Sequence, residues 1–186
     1  MRKLHVLAPV AAAAAALLHP GLAAPAWAGE EAELNCPLAT LGEADRNAIA
    51  TISEDRSARR AAMEAVARGV AECANRFGWS AEERSAASHY VGPFIARERY
   101  RRVLAGEGLD LARIERNVHA DAPLMAAAFA RRPSPPELDK HLQRLIAAEQ
   151  AWITRNEVAR EKLQALGGLV SATALAEAAR LRFTRE

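Results

Sequence analysis

Apolar residues recur along this chain at spacings of three and four, the period of a helix with one buried face. The strongest stripe is Met63, Val66, Val70, Cys73 and Phe77, which predicts an amphipathic helix with all five turned inward. Gly69 weakens that helix and permits a close neighbour. Gly78 stops it, and Ser80 with Glu83 forms a capping box that opens the next, running to Val91. The stretch from Cys73 to Ser80, with Trp79 as a hydrophobic staple before the cap, reads as a packing corner. Gly92-Pro93 then predicts a kink or break, because proline lacks an amide proton and clashes with the preceding turn.

Helical pattern resumes over 94–104 and closes at Gly106 and Gly108. Asp110 caps a helix over 111–119 with Ile114 and Val118 inward, and Pro123 opens a short one through Phe129. Pro133 to Pro136 is the clearest punctuation. Beyond it the pattern predicts the longest helix, 136–166, ended by Gly167-Gly168, and a last one over 170–183 packing through Leu175, Ala179 and Phe183. Upstream, a short helix over 43–53 turns Ile49 and Ile52 to one side, preceded by an extended lead-in over 29–40. No stretch alternates with a period of two. The expected fold is all-α: an irregular single-domain helical bundle of about seven or eight helices, with one long helix in the C-terminal half.

The first 28 residues change the picture. Arg2 and Lys3 precede an apolar run from Val6 to Leu18, and Ala26-Trp27-Ala28 offers a cleavage site, the three-part plan of a secretory signal. The run falls well short of the ~20 residues that span a bilayer, so the expectation is a cleaved leader over 1–28, an exported domain over 29–186, and no transmembrane anchor. Cys36 lies too far beyond the run to be a lipidation site. The whole chain has 25 basic and 23 acidic residues; without the leader's two positive charges the numbers are equal. A global argument for nucleic acid therefore fails.

Export also governs the two cysteines. In an oxidising compartment an even pair is read as a disulfide, here Cys36 with Cys73, because a redox pair would sit close as Cys-x-x-Cys and zinc would want more ligands nearby. His89, His119 and His141 fall in three different predicted helices, and no metal site or cofactor is expected. Phosphate-loop, zinc-protease, haem-attachment and nucleophile-elbow motifs are absent from the sequence.

Two polar patterns remain. The inward stripe of the 136–166 helix is interrupted by Glu149 and Asn156, a heptad apart, and the face defined by Phe94 and Leu104 is interrupted by Arg97 and Arg101. One reading gathers Arg97, Arg101, Glu149 and Asn156 around a polar pocket between helices, since a buried carboxylate must be paired or neutralised. The plainer reading rotates the long helix so that Ile146 and Ile153 point inward and Glu149 meets solvent. The run from Arg97 to Arg102 wraps around its helix and presents no flat basic face. The sequence therefore predicts a periplasmic or secreted, non-enzymatic binding protein of the cell envelope, taking an envelope protein or a second copy of itself into an apolar groove. The alternative is a small helical enzyme or anionic-ligand binder built on the Arg/Glu pocket.

Overall fold

The computed structural model describes residues 31–51, 55–130, 140, 143–144, 147 and 160–184. Among them run seven helices and no strand: α1 (Cys36–Thr40), α2 (Glu43–Thr51), α3 (Arg56–Phe77), α4 (Ala81–Leu104), α5 (Leu111–Ala120), α6 (Ala122–Phe129) and α7 (Arg160–Phe183). The chain is an all-α helical bundle with one disulfide. The leader and most of the predicted 136–166 helix lie outside the described residues.

The helix starts follow local chemistry. Asp55 accepts from the amides of Ser57 and Ala58, Asp110 from Arg113, and Asp121 from Leu124. At α4 the capping box closes both ways: Ser80 Oγ accepts the Glu83 amide at 3.1 Å, and Glu83 Oε2 accepts the Ser80 amide at 2.6 Å. Each cap satisfies an amide that the first turn of a helix leaves without a partner. Gly78 ends α3 in the left-handed region, φ 73°.

The opposite ends are closed by arginine and lysine from elsewhere in the chain. Arg46 donates to the carbonyls of Leu38 and Leu41 at the end of α1, and Arg99 to Ala50 at the end of α2 at 2.7 Å. Arg182 donates to Ala128 and Phe129 at the end of α6, and Lys162 to Val103 at the end of α4. Last-turn carbonyls have no intrahelical donor and carry the negative end of the helix dipole, so a cation suits them.

Helices α4 and α7, 24 residues each, form the spine. They run antiparallel: Tyr100 of α4 packs on Gly168 near the start of α7, while Trp79, just ahead of α4, meets Phe183 edge-on at 5.1 Å. The alanines at 172, 174, 176, 178 and 179 are all buried, and their small side chains allow the close approach. Two apolar clusters flank this spine. One gathers Leu34, Leu38, Val66, Val70, Trp79 and Val91 around the disulfide; the other gathers Leu104, Ile114, Val118, Leu166 and Leu169. Cys36 and Cys73 are bridged with a Cα separation of 6.1 Å, holding α1 against the buried face of α3.

Four expectations need correction. The lead-in is not extended: residues 31–34 are helical and α1 follows, so that Leu34, Leu38 and the cysteine reach the core together. Gly92-Pro93 does not break the helix, because α4 continues through Pro93. Gly167-Gly168 does not stop one either; α7 runs through both, and Gly168 gives room to the Tyr100 ring, which an added Cβ would overlap. Met63 and Phe77 are not inward but exposed, at 58% and 38%, since α3 turns Ala62, Val66, Gly69, Val70, Cys73 and Ala74 to the core instead.

Candidate functional site

The middle of α4 is the least helix-like sequence inside any of these helices. Gly92 costs about 1 kcal/mol relative to alanine in a helix interior, and Pro93 about 3 kcal/mol. Proline has no amide proton, so the His89 carbonyl one turn back loses its helical partner. Nothing in the backbone demands glycine at 92: among the described glycines only 78, 106 and 108 have positive φ. Nor does a neighbour demand it, because a Cβ added to Gly92 would meet no atom within 4 Å. Gly69 and Gly168 are the reverse case, each pressed by another side chain.

The open space beside Gly92 is a groove. It has a volume of about 290 Å³, just below the usual range of small-molecule sites. Gly92 and Pro93 form one wall, with Ile49 of α2, Met63 and Val66 of α3, and Leu175 of α7 facing them. Ala128 of α6, Ser88, His89 and Arg182 complete it. No aspartate or glutamate is among the described residues that line it. His89 Nδ1 stands 2.6 Å from the Ser85 carbonyl, which can only accept, so in the neutral ring the proton sits on Nδ1 and Nε2 keeps its lone pair. Ser88 donates to the Arg84 carbonyl at 2.9 Å. Arg182 stacks over the Phe129 ring, 5.4 Å from its centroid, while it caps α6. A further hollow of about 340 Å³ lies between Tyr100 and Ala165, and Arg99, Glu161 and Gln164 make its lining polar.

Of the four residues singled out from sequence, the two that are described, Arg97 and Arg101, do not line the groove. Arg97 lies over the Phe94 ring at 4.8 Å and pairs with Glu98 at 3.3 Å. Arg101 reaches Glu98 at 3.5 Å and lies 3.3 Å from Glu115 Oε1, a charge contact without hydrogen-bond geometry. Both are compensated by carboxylates of α4 and α5. Glu149 and Asn156 lie outside the described residues, as do Ile146, Ile153 and His141. Arg99 and Arg102 complete the charged run: Arg102 donates to the Glu98 carbonyl, so that Arg97, Arg101 and Arg102 all meet Glu98, while Arg99 turns away to Ala50.

Charge is also gathered away from the residues singled out from sequence. Glu177 and Arg180 of α7 form a two-pronged pair at 2.8 and 2.7 Å. The Arg180 hydrogen bond holds the Glu177 carboxyl below its ordinary value against the opposing effect of burial, helped by the charges of Arg180, His119 and Arg97. Nearby, burial pushes the Tyr90 hydroxyl up to about 12, with Arg97 and Arg180 opposing and Glu31 and Glu177 adding. Tyr90 donates to Asn35 at 3.2 Å, and Trp79 to Glu33 at 3.3 Å, so these contacts fasten the lead-in to the spine. The i, i+3 spacing of Glu177 and Arg180 was the available signal. Among the described residues no group of three or more histidines, cysteines or carboxylates is placed to hold a metal ion, and no helix is long and apolar enough to cross a membrane.

These features define a disulfide-clipped helical bundle with an apolar groove notched into its spine. Compared with protein-family models, curated proteins and solved structures, the chain matches none of them.

Proposed function

We propose that this chain is an exported, non-enzymatic binding protein of the cell envelope, and that the groove beside Gly92-Pro93 receives the molecule it binds. One observation carries the reading. The two residues least favourable to a helix stand side by side inside α4, and the space they leave open is the groove. Local costs without a structural return tend to mark functional sites, because a sequence selected only for folding would have removed them. Met63 supports the same reading: a flexible, polarisable side chain, 58% exposed at an apolar rim, suits contact with a partner. Export is supported by the three-part leader and by a disulfide, a bond that persists in oxidising compartments.

Two measurements test the proposal. Protein recovered from the periplasm or medium of a cell expressing the full chain is expected to begin at Gly29 by intact mass; retention of residues 1–28 would remove the export reading. An environment-sensitive apolar dye is expected to bind the oxidised chain at one saturable site, and Gly92→Leu, which fills the groove from α4, is expected to abolish that binding. Undiminished dye binding by the folded variant would refute the groove.

A further inference from the structure

We infer that the hollow between Tyr100 and Ala165 is a second binding site, separate from the groove, and that it takes a free α-amino acid with an apolar side chain. Two helix faces make it. Arg99, Tyr100 and Val103 stand on one face of α4, and Glu161, Gln164 and Ala165, at spacings of three and four, on one face of α7. Its 340 Å³ holds roughly eleven non-hydrogen atoms if each takes about the 30 Å³ of a water molecule, room for leucine and little more.

The ligand class follows from polar groups in the lining that the chain leaves unused. Glu161 makes no side-chain hydrogen bond or ion pair among the described residues, and neither does Gln164. The Tyr100 hydroxyl has no hydrogen-bond partner among them either. Arg99 gives Nη1 to the Ala50 carbonyl at 2.7 Å and lies over the Tyr100 ring at 5.8 Å. A guanidinium has five N–H donors, and the others of Arg99 have no partner among the described residues. One cation and one anion thus line the same hollow without pairing with each other. Lys162, whose ammonium reaches the Val103 carbonyl at the edge, is neutralised by Glu107 at 2.6 Å. A ligand with a carboxylate alone would meet a like charge in Glu161, and one with an ammonium alone would meet it in Arg99; a zwitterion offers each its opposite. The Gln164 amide and the Tyr100 hydroxyl can donate or accept beside either head. What is left of the lining is apolar, Ala165 and the 38% exposed Val103, and it sets the character of the side chain.

The test is an NMR titration of the oxidised, isotope-labelled chain, read at the Val103 and Ala165 amides. L-Leucine is expected to shift both saturably in the millimolar range. N-Acetyl-leucine, which lacks the ammonium, and leucinamide, which lacks the carboxylate, are each expected to bind about fivefold more weakly, the scale of one solvent-exposed ion pair. Glu161→Gln is expected to weaken leucine about fivefold without weakening N-acetyl-leucine, and Arg99→Gln to weaken leucine without weakening leucinamide. Arg99 also closes the end of α2, so circular dichroism accompanies that variant; Glu161 is exposed and holds no other contact among the described residues, so its variant decides the matter if Arg99→Gln does not fold. Absence of saturable shifts with leucine, or leucine binding indifferent to Glu161→Gln, overturns the site. An analogue that matches leucine overturns the zwitterion. Leucine is expected to leave the apolar dye in the groove undisturbed; displacement of the dye would move leucine there and refute the hollow, whereas failure of leucine to bind at all leaves the groove assignment standing.

Discussion

Alanine substituted in turn for Gly69, Gly92 and Gly168 applies one chemical change to three helix interiors with different surroundings. In a helix free of neighbours the change stabilises by about 1 kcal/mol, because alanine loses less backbone freedom on folding. At position 92 the added Cβ meets open space, so the full gain is expected, raising the melting temperature by about 3 °C for a chain of this size. At position 168 the same carbon overlaps the Tyr100 ring, which is packed within the second apolar cluster. Overpacking of this kind costs about 1–3 kcal/mol, so the balance is expected between zero and about 2 kcal/mol of destabilisation.

At position 69 the overlap is with the Thr40 hydroxyl, and the Pro37 carbonyl stands 3.4 Å away. There α1 cannot simply retreat, because the Cys36–Cys73 bond ties it to α3, and a loss of about 1–2 kcal/mol is expected. Urea unfolding of the oxidised chain, followed by far-ultraviolet circular dichroism, measures all three. Combining Tyr100→Ala with Gly168→Ala should recover part of the loss, giving a coupling of about 1 kcal/mol in a double-mutant cycle. Three substitutions that stabilise alike would refute the close approaches at 69 and 168; a destabilising Gly92→Ala would refute the open wall of the groove.

Reduction of the disulfide is expected to cost up to about 4 kcal/mol, the loop-closure value for cysteines 37 residues apart, read from the shift in urea midpoint on adding dithiothreitol. A change below about 1 kcal/mol would mean that Leu34, Leu38 and the Tyr90 and Trp79 hydrogen bonds hold the lead-in without it. Tyr90 predicts sensitivity to alkali. Its pKa is raised from 10.0 to about 12 in the folded chain, so between those values the unfolded chain has released a proton that the native chain retains. Stability therefore falls as pH rises through that window and is unaffected by this group below it. Tyr90→Phe should flatten the fall; an unchanged alkaline slope would show that Tyr90 ionises as freely in the folded chain as in the unfolded one.

Helix type and most boundaries were legible in the sequence because they are set locally. The Ser80–Glu83 box, the Asp110 cap and the glycines at 78, 106 and 108 act through atoms a few residues apart, and each does what its spacing implies. The disulfide was legible because two cysteines allow one connectivity. Ile114 and Val118 face inward as their spacing requires.

What a glycine means was decided only in three dimensions. Gly92, Gly167 and Gly168 were read as punctuation from propensity alone, yet α4 and α7 pass through them, because burial of both helices against each other outweighs a few unfavourable residues. Whether the missing side chain makes room for Tyr100 or leaves a groove depends on which helix lies alongside, and no local pattern carries that. Met63 shows the same limit: its spacing matches the buried stripe, but the face of α3 that enters the core is fixed by α1, pulled to it by the disulfide, and by α2 and α4. The sequence by itself determined the helical class, the caps at Ser80 and Asp110 and the one covalent tie. Tertiary packing decided which apolar residues stay outside the core, and so where the groove opens.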